Sequence, residues 1–155
     1  MAELTEGIEA PNIELNTDGG GTFSLRDLRG NPVVVYFYPK DDTSGCTKQA
    51  IGFSALQDQF TALNTEIIGV SPDSVKSHDK FKAKHDLTIQ LAADDEKAAV
   101  QDYGVWVEKS MYGRKYMGVE RATFLIGADG KIAKIWRKVK VPGHVEAVLK
   151  EVQAL

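Results

Sequence analysis

An uninterrupted apolar run, VVVYFY at residues 33–38, is the feature that most constrains the fold. β-Branched and aromatic residues favour strands, and a strand with one solvent-facing side would alternate apolar with polar residues. A continuous run is instead typical of a central strand that is covered on both faces. Pro39 follows directly and cannot donate to a sheet ladder, so the strand is predicted to end there. The chain is therefore predicted to build a sheet around this strand, flanked by helices.

The rest of the sequence predicts strands and helices in alternation. An apolar stripe at steps of three and four residues marks the helix that follows Pro39, and turn-rich segments at 17–21 and 127–130 mark hairpins. This order predicts an α/β protein with a thioredoxin-like fold, an N-terminal β-hairpin extension and a central mixed sheet flanked by helices, in a single domain over residues 1–155. The predicted elements are a hairpin over 12–25, a helix from about 44 to 63, a strand at 67–70, a helix over 74–85, a strand at 88–91, a helix over 95–103, a loop over 104–118, a hairpin over 123–136 and a helix over 143–152.

Charge and hydropathy exclude several classes of protein. The formal net charge is −3 and the pI about 5.6, which gives no basic surface for nucleic acid or an anionic membrane. No segment approaches the roughly 20 apolar residues that span a bilayer, and the acidic start, MAELTEGIEAPNIEL, lacks the apolar stretch of a signal peptide. One cysteine cannot form an intrachain disulfide. We therefore predict a soluble protein of the reducing cytoplasm that binds neither nucleic acid nor membrane.

The single cysteine of the sequence, Cys46, lies where a helix is predicted to begin. If Thr43 is the N-cap, its hydroxyl accepts a hydrogen bond from a first-turn amide, and Cys46 is the third helical residue. The unpaired amides of the first turn carry partial positive charge and favour a thiolate at that position. Gly45 has no side chain and is expected to leave the sulfur approachable. The alternative is that Cys46 is a buried small hydrophobic residue without chemistry.

The residues around Cys46 match a known pattern. The segment PKDDTSGC at 39–46 fits Pro-x-x-x-Thr/Ser-x-x-Cys of the peroxiredoxins, and the longer YFYPKDDTSGCTKQA resembles their bacterioferritin comigratory protein, or peroxiredoxin Q, branch. The resemblance covers essentially the whole chain, through GIEAPN, IGVS, YGV and RATFLI. It implies a thiol-dependent peroxidase that reduces hydrogen peroxide and organic hydroperoxides in antioxidant defence, and we predict no cofactor and no metal.

The resemblance implies a role for each matching residue. Cys46 is similar to the peroxidatic nucleophile and would become a sulfenic acid. Thr43 would hydrogen-bond the peroxide, and Pro39 would shield the pocket. Arg121 precedes a predicted strand, and its permanently charged fork would contact the sulfur and the substrate oxygens, stabilising charge on the departing oxygen. Without the resemblance, Arg121 would be a solvated cation, Thr43 a helix cap and Pro39 the end of a strand.

Four further residues are candidates for the substrate pocket. Tyr38 and Trp106 could surround the pocket, although aromatic residues in such runs are more often part of the core. Gln49 lies one turn after the cysteine and could hydrogen-bond Arg121. Gly45 would leave room beside the sulfur.

The sequence departs from its relatives at three positions. Ser44 stands where relatives often have a proline, which should leave the chemistry intact. Many relatives carry a second, resolving cysteine at the position of Ile51 or in the next helix at the position of Lys82, and this chain has neither. We therefore predict that an external thiol of the thioredoxin, glutaredoxin or glutathione type reduces the sulfenic acid. A disulfide between Cys46 residues of two chains is the other possibility, in a protein expected to be a monomer or weak homodimer.

Other functions based on a cysteine lack their partner residues. A thioredoxin needs a second cysteine where Gln49 stands, and a cysteine-dependent phosphatase needs an arginine where Gly52 stands. A cysteine protease needs a histidine base, but His78, His85 and His144 lie in polar stretches and are predicted to be surface residues. The remaining alternative is a peroxide-sensing thiol protein or chaperone with little turnover.

Overall fold

Strand β3, Val33–Phe37, lies inside the main sheet of the computed structural model, which describes residues 4–155. All of its residues are buried. It pairs in parallel with β4, Glu66–Ser71, and antiparallel with β8, Ala122–Ile126. The prediction of a central strand covered on both faces is confirmed.

The main sheet is mixed, as predicted. The other elements are β1 (Glu14–Thr17), β2 (Thr22–Ser24), α1 (Ser44–Ala62), α2 (Val75–His85), β5 (Gln90–Ala93), α3 (Ala98–Asp102), β6 (Trp106–Met111), β7 (Arg114–Val119), β9 (Ile132–Trp136) and α4 (His144–Gln153), with short 3-10 turns at Asp18–Gly20 and Leu25–Leu28. Seven strands lie in the order β2-β1-β5-β4-β3-β8-β9, in which β3–β4 and β4–β5 are parallel and the other pairs antiparallel. The predicted N-terminal hairpin is therefore present and extends the sheet through β5.

Alternate residues of β3 belong to two apolar clusters on opposite faces of the sheet. Val34 and Tyr36 belong to one cluster, to which α1, α2 and α4 contribute. Val33, Val35 and Phe37 belong to the other, to which α3 and the N-terminal segment contribute. Because side chains of a strand alternate between faces, the continuous apolar run supplies both clusters at once. The predicted sandwich of helices around a sheet is confirmed.

The prediction of a loop over residues 104–118 is wrong. Strands β6 and β7 form a separate two-stranded antiparallel sheet, joined by Tyr112 and Gly113, which have φ of 52° and 78°. Positive φ at both positions is typical of the turns that match the twist of a hairpin. Tyr112 is 98% exposed, and most of the hairpin faces solvent. The hairpin therefore lacks the apolar alternation by which a half-buried strand is recognised.

Two predicted elements differ in their bounds. The strand predicted at 88–91 is displaced towards Ala93, and the helix predicted over 95–103 is shortened to α3. The carboxylate of Asp94 is buried and accepts hydrogen bonds from the amides of Ala99 and Val100, at 3.2 and 2.8 Å. The acidic residue thus satisfies amides at the start of the short helix.

Within residues 4–155, no helix is long and apolar enough to cross a membrane. The assignment of one domain over residues 1–155 stays a prediction, because residues 1–3 lie outside the described part of the chain.

Candidate active site

Cys46 lies in the first turn of α1, as its third residue, with Thr43 at the N-cap. The residue is only 1% exposed and belongs to the same apolar cluster as Tyr38, Ala50 and Phe53. The sulfur is therefore almost fully covered, and the expectation that Gly45 leaves it approachable to a peroxide stays a prediction.

Arg121 brings a positive charge to the sulfur. The residue immediately precedes β8, and Ala122 pairs with Phe37 at the end of β3, so the antiparallel register places Arg121 beside the start of α1. Its Nη2 lies 3.2 Å from Cys46 Sγ, and its Nη1 donates to Gln49 Oε1 at 2.6 Å. One guanidinium thus bridges two residues of the first turns of α1. The guanidinium thus places a permanent positive charge and an N–H donor beside the sulfur.

Gly45 lies against the guanidinium of Arg121. A Cβ atom at this position would lie 3.1 Å from Arg121 Nη2, which is closer than most real contacts of such an atom. The missing side chain leaves room for the guanidinium rather than for solvent. A side chain at this position would require the guanidinium to shift by a few tenths of an ångström.

Thr43 does not cap the helix through its side chain. Its hydroxyl donates to the Lys40 carbonyl oxygen at 2.8 Å, and no side-chain capping bond is formed. The expected bond from Thr43 to a first-turn amide is therefore wrong. The hydroxyl instead closes the short segment between β3 and α1, of which Pro39 is half-buried and Thr43 is exposed.

The two aromatic candidates for the pocket are separated. Tyr38 is buried in the cluster that contains Cys46, and its hydroxyl donates to Asp41 Oδ1 at 2.6 Å. Trp106 packs against the opposite cluster, with Lys97 Nζ 5.7 Å from the centre of its ring. Of the two, only Tyr38 shares a cluster with the sulfur.

The hairpin missed by the sequence brings a second cation towards the site. Lys109 of β6 is half-buried. Burial lowers the pKa of Lys109, the charge of Arg121 lowers it further, and the nearby Cys46 and Glu120 act in the opposite direction. The part of the chain predicted to be a loop therefore contributes to the electrostatics of the sulfur.

The prediction that the histidines are surface residues is wrong for two of the three. His78 is fully buried, with Nδ1 2.7 Å from Asp41 Oδ2. His144 is 6% exposed, and its Nε2 lies 2.8 Å from Thr123 Oγ1. Burial, helped by the charge of Arg121, lowers the pKa of His144 to about 4. His85 is partly exposed.

The spacing of His78 was the signal that could have located it. It lies three residues before the buried Phe81 on α2, at the interval of one helical face. Its partner Asp41 lies 37 residues away in the sequence and gives no local signal.

Neither of the two positions at which relatives carry a second cysteine has a thiol in this chain. Ile51 is 45% exposed on α1. Lys82 of α2 forms an ion pair with Asp18 Oδ2 at 2.7 Å. Cys46 is free, and the sequence holds no other cysteine.

Comparison with known proteins agrees with this geometry. A family model described as the AhpC/TSA family matches residues 7–135. The chain is 48% identical over 143 residues to the putative peroxiredoxin bcp of Coxiella burnetii, covering 92% of this chain and 95% of that protein. It is also 48% identical over 143 residues to peroxiredoxin Bcp of Bacillus subtilis, covering 92% and 91%. A structure of the Xanthomonas campestris bacterioferritin comigratory protein, described in terms of its alkyl peroxide reduction activity, superposes with a TM-score of 0.90 at 42% identity, covering 97% of this chain and 98% of that one.

Proposed function

The chain belongs to the AhpC/TSA family, as a single-cysteine peroxiredoxin of the bacterioferritin comigratory protein or peroxiredoxin Q branch, and we propose that Cys46 is its peroxidatic nucleophile. The protein is a thiol peroxidase with a thioredoxin-like fold. The observation that carries the assignment of Cys46 is the 3.2 Å contact between its Sγ and Arg121 Nη2.

The proposed reaction begins with attack of the Cys46 thiolate on one oxygen of the peroxide. A sulfur–oxygen bond forms, the oxygen–oxygen bond breaks, and the departing oxygen leaves as hydroxide or alkoxide, which takes up a proton to give water or an alcohol. The enzyme is left with a sulfenic acid on Cys46. Negative charge moves from the sulfur to the departing oxygen, so fixed donors near both atoms lower the barrier.

Arg121 is the donor best supported for that task. Its guanidinium already contacts the sulfur, and its second nitrogen is held by Gln49, so the fork is oriented before the substrate arrives. The Cys46 amide would be a further donor, and Pro39 would shield the site from water. The Thr43 hydroxyl donates its hydrogen to Lys40 and would accept a hydrogen bond from the peroxide. Gln49 is a positioning residue in this scheme, and Gly45 provides the space that Arg121 occupies.

The peroxidase cycle closes with an external thiol, since this chain contains no second cysteine. The incoming thiol attacks the sulfenic sulfur and releases water, forming a mixed disulfide with Cys46. A second thiol then breaks this bond and restores the Cys46 thiol. We propose a reductant of the thioredoxin, glutaredoxin or glutathione type. The substrates proposed are hydrogen peroxide and organic hydroperoxides, the latter supported by the alkyl peroxide activity of the Xanthomonas relative.

The setting proposed is the cytoplasm, where thiol reductants are abundant. There the protein would act in antioxidant defence as a monomer or weak homodimer. The single free cysteine, as expected in a reducing compartment, supports this setting.

The experiment is a peroxide-consumption assay with a panel of thiol reductants. The wild-type protein should consume many equivalents of peroxide per chain with at least one reductant, and Cys46→Ser should consume none above background. A stoichiometry of about one equivalent with every reductant would support the alternative, a peroxide-sensing thiol protein or chaperone. Unchanged peroxide consumption by Cys46→Ser would contradict the assignment of the nucleophile.

A further inference from the structure

A buried polar network joins the segment before Cys46 to helix α2. Asp41 is 7% exposed and His78 0% exposed. His78 Nδ1 lies 2.7 Å from Asp41 Oδ2, and its Nε2 lies 2.9 Å from the carbonyl oxygen of Ala92 on β5. The reaction proposed above uses neither side chain. Buried charged groups are costly unless they are paired, so the network requires an explanation.

The geometry determines how many protons the hydrogen bonds of this network require. A backbone carbonyl only accepts hydrogen bonds, so Nε2 of His78 must carry a hydrogen. Asp41 accepts from the Tyr38 hydroxyl at 2.6 Å and from the Ser77 hydroxyl at 2.8 Å, as an ionised carboxylate does. A further proton lies between Nδ1 and Oδ2. The pair therefore shares one proton more than a neutral imidazole and a carboxylate would hold.

The groups that surround His78 favour its charged form. Asp41 faces it from the segment between β3 and α1, together with the neutral hydroxyl of Tyr38 at 3.5 Å. Asp73 contributes a second negative charge from the segment before α2, and β5 contributes the Ala92 carbonyl. Burial alone lowers the pKa of His78, but the hydrogen bond and charge of Asp41, with the other two groups, raise it above the ordinary value of 6.5.

The network also fixes the backbone that leads to the reactive cysteine. The amide of Asp41 donates to Asp73 Oδ2 at 2.8 Å, so both the main chain and the side chain of Asp41 are held. Two residues later, the Thr43 hydroxyl bonds the Lys40 carbonyl oxygen, and α1 begins at Ser44. Displacing Asp41 would therefore displace the start of the helix that carries Cys46.

We propose that His78 is a positioning residue for the peroxidase reaction, which anchors residues 38–43 to α2 and β5 and so sets the position of Thr43 and Cys46 relative to Arg121. This inference rests on the catalytic roles proposed above for those three residues. When His78 loses its extra proton, one N–H remains for two acceptors. One of its two hydrogen bonds, to Asp41 Oδ2 at 2.7 Å or to the Ala92 carbonyl oxygen at 2.9 Å, is then lost, and the anchor is weakened.

The test compares wild-type protein with His78→Gln and His78→Leu in single-turnover oxidation of Cys46 by hydrogen peroxide between pH 5.5 and 9.5. The wild-type rate constant should fall on the alkaline side, as His78 loses its proton. Both variants should be slower at pH 7, by about 10-fold or more for leucine, within the range for a misplaced reacting group. Glutamine keeps amide donors and should retain more of the rate than leucine. Neither variant should show the alkaline fall that belongs to His78.

His85→Gln provides the matched control. His85 Nε2 lies 2.8 Å from Oδ1 of Asp42, whose side chain is 42% exposed, at the surface beside the buried network. Because exposed ion pairs contribute little, this variant should keep the wild-type rate and pH profile.

The outcomes distinguish a failure of the proposed peroxidase function from a failure of the role proposed for His78. A wild-type protein whose Cys46 is not oxidised by peroxide would contradict the proposed function itself. A wild-type protein that is oxidised normally, with His78→Gln matching it in rate and pH profile, would overturn only the role of His78. If the variants do not fold, nitrogen NMR of the wild-type imidazole decides the matter. Both ring nitrogens should be protonated at pH 7, and one unprotonated nitrogen would overturn the inference.

Discussion

Replacing Arg121 by glutamine is expected to slow the oxidation of Cys46 about 10²-fold. At the 3.2 Å between Nη2 and Sγ, an effective dielectric constant of about 20 gives an attraction of ~5 kcal/mol between full charges. Arg121 is half-exposed, so solvent reduces this figure. Removing one donor aimed at developing charge typically costs about 3 kcal/mol, which corresponds to the stated factor. The cost appears in the rate because negative charge develops on the departing oxygen in the transition state, where a fixed donor stabilises it.

Lysine at position 121 should recover little of this loss. An ammonium group is a single point charge, whereas the guanidinium donates at once to Cys46 Sγ and to Gln49 Oε1. Gln49 is fully buried, and its Nε2 has no partner within the described part of the chain. Losing the bond to Oε1 as well should also lower the free energy of unfolding, by about 1–3 kcal/mol.

The assay is rapid mixing with hydrogen peroxide, followed by alkylation of the remaining thiol and mass spectrometry of the intact chain. Arg26→Gln is the control, because Arg26 is 64% exposed and pairs with Glu14 in the N-terminal hairpin. This variant should keep the wild-type rate constant. A folded Arg121→Gln protein that also keeps it would refute the argument and leave the contact with sulfur without a catalytic role.

Three further predictions follow from the geometry and electrostatics of the chain. Gly45→Ala should keep or raise the free energy of unfolding, because alanine favours helix. It should nevertheless slow peroxide reduction several-fold, because the alanine Cβ would lie 3.1 Å from Arg121 Nη2. Chemical denaturation measures the first effect and single-turnover kinetics the second, and an unchanged rate would contradict the steric argument. In mass spectrometry, one equivalent of peroxide without reductant should add one oxygen to the monomer, and excess peroxide should add a second. Any dimer formed should be linked through Cys46 and return to monomer when a thiol reductant is added. A monomer that gains no oxygen would contradict the one-cysteine cycle. His144 has a pKa lowered to about 4 in the folded state, so the unfolded state binds more protons and stability should fall as pH falls from about 6.5 to 4. Urea unfolding of His144→Gln should show a weaker dependence on pH in that window than the wild-type protein, and an equal dependence would contradict the assignment.

The elements predicted best from the sequence are those whose apolar residues are buried at regular spacing. The run at 33–38 and the stripe through Phe53 and Phe60 carry periodic apolar signals, and both elements are present. The β6–β7 hairpin was missed because its backbone ladder stabilises it, while large side chains such as Tyr112 and Met111 remain exposed. Periodicity reports burial, so an exposed hairpin gives little signal.

The site was predicted in its residue types but not in its contacts. The sequence pattern located Cys46 and Arg121, although their distance depends on the pairing of β3 with β8. It did not indicate that the space at Gly45 is filled by Arg121, or that Thr43 bonds backwards to Lys40. The network of Asp41 and His78 was missed because a salt bridge across 37 residues has no local pattern.

The separation of 75 residues between Cys46 and Arg121 has a consequence for the order of synthesis. At about 5–20 residues per second, the ribosome adds the arginine roughly 4–15 s after the cysteine. During that interval the nascent chain carries a thiol without its cation, and β3 lacks its antiparallel neighbour β8. Reactivity towards peroxide should therefore be absent from nascent chains and should appear only after β8 has left the ribosome and joined the sheet.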